Sequence, residues 1–256
     1  MTKRAAVSVD ASWAIRTFSV LAVGTGLLVL SAAGPAQTQS PAGHWEGNIQ
    51  MPNRDLSITV DLAKGKTGKW IGSMSVLVSS SIDVPLENIT VQDTAVAFTA
   101  TLPQSASFEG RLSADGESVT GKVSNPDGAV DFQLARRGEP NVKMPPPSSK
   151  SSKQFEGTWE ATVEKDGSVR RLSLKLWPAP DGTATATLMR LEPRKMEIPI
   201  TTVTMRDKQL ELESRAVSGS YRGTLGGSGE IAGEWIEGST HTPVTFKRAS
   251  SQSKEP

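Results

Sequence analysis

The second half of this chain restates the first, landmark by landmark and in the same order, at an offset that stays between about 112 and 116 residues. Gly43-His-Trp45-Glu46 meets Gly157-Thr-Trp159-Glu160, and Leu56, Ile58 and Val60 meet Leu172, Leu174 and Leu176. Ile82-Asp-Val-Pro85-Leu meets Met196-Glu-Ile-Pro199-Ile with its proline kept. Phe108-Glu-Gly110-Arg-Leu112 meets Tyr221-Arg-Gly223-Thr-Leu225, and Val119-Thr-Gly121 meets Ile231-Ala-Gly233. At the end, Phe132-Gln-Leu134-Ala-Arg136 meets Val244-Thr-Phe246-Lys-Arg248. Chance would not keep that order across a whole unit, so the chain must build one fold of about 95 residues twice.

Within each unit the apolar residues recur with period two, and the runs are bounded by turn pairs such as Asp115-Gly116, Asp127-Gly128, Asp166-Gly167 and Asp181-Gly182. Eight strands fit each copy. In the second they are expected near 157–164, 169–177, 182–190, 196–205, 208–215, 219–226, 230–236 and 241–248. A meander with one apolar face has to close on itself or pair with another sheet to hide that face. The fold class is therefore all-β: two tandem antiparallel eight-stranded up-and-down barrels, one over residues 43–137 and one over 155–248. Residues 138–154 between them, rich in Pro, Ser and Lys, read as a linker. Its Pro145–Pro147 run should be stiff and the rest flexible, so the two units are expected to fold separately and to move relative to each other. Residues 249–256 read as a disordered tail.

Residues 1–36 have the form of a secretory signal. Lys3, Arg4 and Arg16 precede an apolar run from Phe18 to Leu30, followed by the small residues of Ala32–Ala36. The run is shorter than the ~20 residues that a spanning helix needs. Cleavage after Ala36 is expected, leaving no membrane span and a periplasmic or extracellular protein. Removing Lys3, Arg4, Arg16 and Asp10 from 28 basic and 27 acidic residues leaves 25 and 26, a net charge of about −1. That balance argues against nucleic acid as a partner, because phosphate binding needs a basic face. Arg170-Arg171 and Arg194-Lys195 are the local basic clusters, and they read as solvated strand ends.

No catalytic site is legible. The two histidines, His44 and His241, have no counterparts in the other copy, which disfavours a triad or a zinc cluster. With no cysteine there is no thiolate nucleophile. Lys64-Gly-Lys-Thr67 lacks the earlier glycine of a phosphate loop, since Val60 stands there. Gly226-Gly-Ser228-Gly229 is followed by Glu230 where a nucleophile elbow has glycine. Both read as turns, and no enzyme, cofactor or metal is expected.

A Gly-x-Trp on the first strand, matched by an arginine closing the last strand of an eight-stranded meander, resembles the calycin pattern of lipocalins and avidins. The pairs are Trp45 with Arg136 and Trp159 with Arg248. The resemblance implies an up-and-down barrel in which the arginine packs over the tryptophan near one barrel end, a structural closure. The units also resemble the β domains ahead of catalytic domains in some secreted bacterial α/β-hydrolases, although no catalytic domain follows here. Glycines at Gly72, Gly110, Gly121, Gly223 and Gly233 fall on the expected inner face. Either they open a cavity, lined by Trp70, Met74 and Phe108 in the first unit and by Tyr221 and Trp235 in the second, or they permit close strand approach in a narrow barrel. The second reading suits a barrel of short strands better. Two roles follow: an accessory or protein-interaction module of the cell envelope with an unknown protein partner, or a binder of a small apolar ligand in the barrel interior.

Overall fold

A computed structural model describes residues 39–249 apart from Val78 and Asp166; residues 1–36, expected to be a signal segment, and the expected tail beyond Ala249 lie outside the described residues. The first unit is built from β1 (Gly43–Ile49), β2 (Leu56–Lys64), β3 (Trp70–Val76), β4 (Val84–Gln92), β5 (Ala95–Ala100), β6 (Ala106–Leu112), β7 (Ser118–Asn125) and β8 (Gly128–Gly138). These pair in sequence order, and β8 returns to β1, giving a closed antiparallel barrel. The alternation that predicted the strands also sorts their faces. In β5, for instance, Val96, Phe98 and Ala100 are buried while Ala95, Ala97 and Thr99 are half-buried.

The second unit contains β9 (Gly157–Lys165), β10 (Ser168–Pro178), β11 (Ala184–Arg190), β12 (Met196–Pro199), β13 (Thr202–Arg206), β14 (Gln209–Ser214), β15 (Gly219–Leu225), β16 (Glu230–Glu237) and β17 (Thr240–Arg248). They form one curled sheet that runs from β12 through β9 and β17 to β13. The fold is thus all-β with two barrel-like sheets, as the repeat implies. The expected single strand 196–205 differs: it is interrupted at Ile200 and Thr201 and gives two strands. The cause is a bend present in both copies. In the first unit β4 pairs with β3 only at Pro85 and Val84, then shifts register between Glu87 and Thr90 as it passes to β5. In the second unit the same change of partner separates β12, on β11, from β13, on β14.

Each barrel is closed at one end by an arginine over a tryptophan. The Arg136 guanidinium carbon lies 4.3 Å from the Trp45 ring centre, and Arg248 lies 4.3 Å from that of Trp159. Both rings are fully buried. The indole N–H groups donate to the carbonyls of Pro41 (3.0 Å) and Phe155 (2.7 Å), four residues upstream in each case. The guanidinium groups donate to the carbonyls of the same segments: Arg136 to Ser40 and Ala42, with its Nε to Gly116, and Arg248 to Gln154 and Glu156. A planar five-donor group can stack on the ring and satisfy several carbonyls at once, which a lysine could not do.

The segment between the barrels is bonded along its length. The backbone N–H of Asn141 donates to Asp61 Oδ1 (2.7 Å) and that of Lys143 to Ser73 Oγ (3.0 Å), both in the first barrel. Further on, Ser149 exchanges backbone bonds with Val203 and Ala184, and Ser151 donates to Gly182. The hydroxyls of Ser148 and Ser149 accept from the N–H groups of Val203 and Met205. Residues 148–151 therefore span from β11 to β13 and cover the edge that the bend would leave unpaired. A composition that looked free of any docking surface docks through its serine hydroxyls and backbone.

The barrels also meet directly. Ser81 Oγ donates to the Ala216 carbonyl (2.7 Å), and the Ile82 N–H donates to the Arg215 carbonyl (3.1 Å). The Arg215 guanidinium donates to the carbonyls of Asp83 (2.9 Å) and Lys143. These bonds oppose the free relative motion expected from the linker composition.

Two outcomes are expected. Trp159→Ala should cost about 3–5 kcal/mol, as a buried ring truncated in a packed interior does, and Arg248→Ala should destabilise less than additively with it. A double-mutant cycle by urea unfolding measures this, and zero coupling would mean that the stack contributes nothing. A fragment covering 153–249 should be less stable than one covering 146–249 by a few kcal/mol, at about 1 kcal/mol net for each linker bond lost. Comparison of their urea midpoints checks it.

Candidate functional site

The interiors of the two barrels differ, and the difference traces to residues at matching register. In the first, Phe98 and Phe108 face each other across β5 and β6 and stack with ring centres 4.8 Å apart. Phe132, opposite Gly121 on β7, meets Phe108 edge-on at 5.4 Å. In the second, Leu212 faces Tyr221 and Val244 faces Gly233 at the corresponding positions. Two of these three rings are thereby replaced by smaller aliphatic groups, while Phe246 stands where the first barrel has Leu134 and Trp235 where it has Val123. What is left is a cavity of about 110 Å³ whose wall includes Leu172, Leu188, Leu212, Tyr221, Val244 and Phe246.

Of the residues singled out from the sequence, Tyr221 and Trp235 line this cavity. Met74 and Phe108 are core residues of the first barrel, each about 1% exposed. Trp70 is half-buried against that core, with the Lys64 ammonium 5.6 Å from its ring centre. The five expected lining residues are thus divided: the first barrel's three pack into or against its core, and the second barrel's two reach open space. The glycines act mainly in close approach. A Cβ on Gly121 would lie 2.0 Å from the Glu109 carbonyl oxygen, and one on Gly233 would lie 2.1 Å from that of Arg222.

Tyr221 is held in place by its hydroxyl, which donates toward the carbonyls of Ile231 (3.0 Å) and Val244 (3.2 Å). Burial pushes its phenol far above the usual range, so it stays neutral and acts as a donor. Its ring meets Phe246 edge-on at 5.3 Å. Trp235 donates its indole N–H to Glu237 Oε1 (2.7 Å) on the same cavity wall. Arg170, expected from the sequence to be a solvated strand end, lines the cavity half-buried instead, as does Arg190, which the sequence did not mark. Period two explains their placement: Arg170 shares the inner face of β10 with Leu172 and Leu174, and Arg190 shares that of β11 with Leu188.

Arg190 and Met196 also line an open cleft of about 1030 Å³ between the barrels. Its other walls include Met51, Pro52, Leu102 and Pro103 of the first barrel and Arg194 and Lys195 of the second. Cavity and cleft therefore adjoin.

The seam between first and last strands differs as well. In the first barrel β1 pairs with β8 at six positions, from His44 to Ile49. In the second, β9 pairs with β17 at two, Glu160 with Lys247 and Trp159 with Arg248. Gly47 accounts for the tight seam, since a Cβ there would lie 1.9 Å from the Gln133 carbonyl oxygen. Its counterpart is Ala161, whose methyl cannot occupy that space, so β17 stands off from β9 beyond Glu160. Val163 and Thr242, along the parted stretch, line the cavity.

In the first barrel His44 Nδ1 lies 3.0 Å from Asp61 Oδ1, and its Nε2 lies 3.4 Å from Glu46 Oε1. Burial alone would lower the His44 pKa, but the hydrogen bond and charge of Asp61, with Glu46 adding, carry it above its ordinary value. His241, in the second, sits 3.0 Å from Glu234 on the surface. Among the described residues no three of His, Asp and Glu converge as metal ligands, and no helix is long and apolar enough to cross a membrane.

No protein-family model matches the chain, and no curated protein matches it. Among solved structures it is similar to a Bacteroides fragilis protein assigned provisionally to the outer membrane, at 12% identity and TM-score 0.27 over 82% of this chain and 96% of that one. It is also similar to a Nostoc punctiforme protein of unknown function from the DUF3598 family, at 12% identity and TM-score 0.26 over 84% and 99%. Likenesses this distant carry no argument about function.

Gly47→Ala should destabilise the first barrel by about 1–3 kcal/mol, since the added methyl overpacks the seam. Ala161→Gly should slow amide hydrogen exchange along β9 beyond Glu160 by letting β17 approach. A neutral Gly47→Ala in urea unfolding would show that the glycine is not what closes the seam.

Proposed function

We propose that this chain is an exported, non-catalytic binding protein of the cell envelope that holds a small apolar group inside its second barrel. The observation that carries the reading is the cavity of about 110 Å³ in the second barrel, at the place where the first barrel is packed with Phe98, Phe108 and Phe132. Dry apolar cavities of about 150 Å³ take up a benzene ring, so the space suits a ring of that order or the end of an alkyl chain. A duplicated barrel in which one copy is packed with three phenylalanines and the other has a cavity at the matching place has a division of labour: the first copy is a packed support, the second a receptor. The resemblance to calycins supports the same reading, as does the signal-like segment 1–36 for export. The cleft between the barrels leaves room for the part of a ligand that the cavity does not hold.

Leu212→Phe with Val244→Phe places rings where the first barrel has Phe98 and Phe132 and should fill the cavity. In titration calorimetry on the mature chain, 1-octanol should bind the parent at least tenfold more tightly than this double variant, with thermal unfolding confirming that both are folded. Equal binding by the two would overturn the cavity as the receptor.

A further inference from the structure

Two arginines line a cavity whose other walls are almost wholly apolar. Arg190, the last residue of β11, lies directly opposite Leu172 on β10. Arg170 is two residues from Leu172 on the same inner face, and such diagonal neighbours stand about 7–8 Å apart. Both are half-buried, and neither forms an ion pair with a carboxylate among the described residues. Arg190 has only distant polar neighbours, the Arg194 carbonyl at 3.5 Å and Met196 Sδ at 3.6 Å. The adjacent acid Glu192 is engaged by Arg171 at 3.5 Å, and Glu237 accepts from the Trp235 indole. Like charges on neighbouring positions of one sheet face repel. Half-buried guanidinium groups are also costly unless an anion satisfies them. A surface strand end would not turn such groups inward beside Leu172 and Leu188.

We propose that Arg170 and Arg190 form an anion site at the rim of the cavity, so that the ligand of the second barrel is an amphiphile with a slim apolar tail and one anionic head, a carboxylate or a phosphate. This deepens the reading of the second barrel as a receptor and rests on it. The tail enters among Leu188, Leu212, Val244 and Phe246, and the head lies between the two guanidinium groups, whose planar forks match a carboxylate or phosphate oxygen pair. Arg190 also borders the cleft, whose other charged residues are Arg194, Lys195, Asp127 and Glu197. The site is thus apolar within and carries its two guanidinium groups toward a polar, charged cleft, which orients an amphiphile head outward. In the first barrel Val76 stands opposite Ile58 as Leu188 stands opposite Leu174, and the counterpart of Arg170 is Arg54, which is exposed outside the strands. The anion site therefore belongs to the copy that has the cavity.

The test is titration of the mature chain and of the Arg170→Gln, Arg190→Gln double variant with octanoate, 1-octanol and octylamine. Octanoate should bind the parent at least tenfold more tightly than 1-octanol, and octylamine more weakly still. The double variant should lose that preference while its affinity for 1-octanol is unchanged. Equal affinity of the parent for octanoate and octanol, or a preference that survives in the double variant, would overturn the anion site and leave the apolar receptor standing. Failure of both compounds to bind would remove the receptor reading and the anion site with it. Co-sedimentation with vesicles of phosphatidylglycerol, but not of phosphatidylcholine, and only with both arginines present, would assign the head to a membrane lipid. Octanoate binding without such co-sedimentation would assign it to a free amphiphile.

Discussion

A meander hides its inner face only when its last strand returns to its first, and in both halves of this protein that return is clamped by an arginine stacked on a buried tryptophan. The clamp uses each donor twice over, for cation–π attraction to the ring and for hydrogen bonds to carbonyls that a barrel end would otherwise leave poorly satisfied. Trp45 and Trp159 each fix the segment four residues upstream through the indole N–H. The clamp holds only one end. Beyond it the seam is free to differ, and it does, through the exchange of Gly47 for Ala161.

That divergence at the seam is matched by one in the interior. Phe98 and Phe132 of the first barrel become Leu212 and Val244 in the second, Leu134 and Val123 become Phe246 and Trp235, and the space left by this exchange lies next to the parted strands. Packing explains why a few substitutions suffice: interiors are close to solid density, so rings moved from one position to another leave space that neighbours cannot refill by small shifts. Tyr221 cannot move to fill it, because its hydroxyl is tied to the carbonyls of β16 and β17. The inward arginines stand on strands whose remaining inner residues are aliphatic, so charge and apolar surface meet at one place.

The two barrels are joined by more than a tether. Asp61 illustrates the economy of the junction, accepting from the linker at Asn141 and facing His44 in its own barrel. Arg215 does the equivalent from the second barrel, donating to the first barrel at Asp83 and to the linker at Lys143. Residues 148–151 complete the sheet at the bend between β12 and β13. A segment rich in serine and proline can do this because the edge it covers asks for hydrogen-bond donors and acceptors and makes no demand for apolar side chains.

Much of this architecture was legible in one dimension. Alternation of period two set the strands, the repeated landmarks set the two units, and Gly-x-Trp with a terminal arginine marked residues that do meet in space. These features are local, or recur at a fixed offset, so no knowledge of packing was needed to see them. The bend that splits the expected strand 196–205 was not legible, because it depends on a change of partner from β11 to β14. The division of Trp70, Met74 and Phe108 from Tyr221 and Trp235, and the inward turn of Arg170 and Arg190, were hidden for the same reason. Whether a barrel is full is decided by side chains drawn from β10, β11, β14, β15 and β17 onto one axis, and the volume they leave is a property of their sum, which only the closed tertiary structure defines.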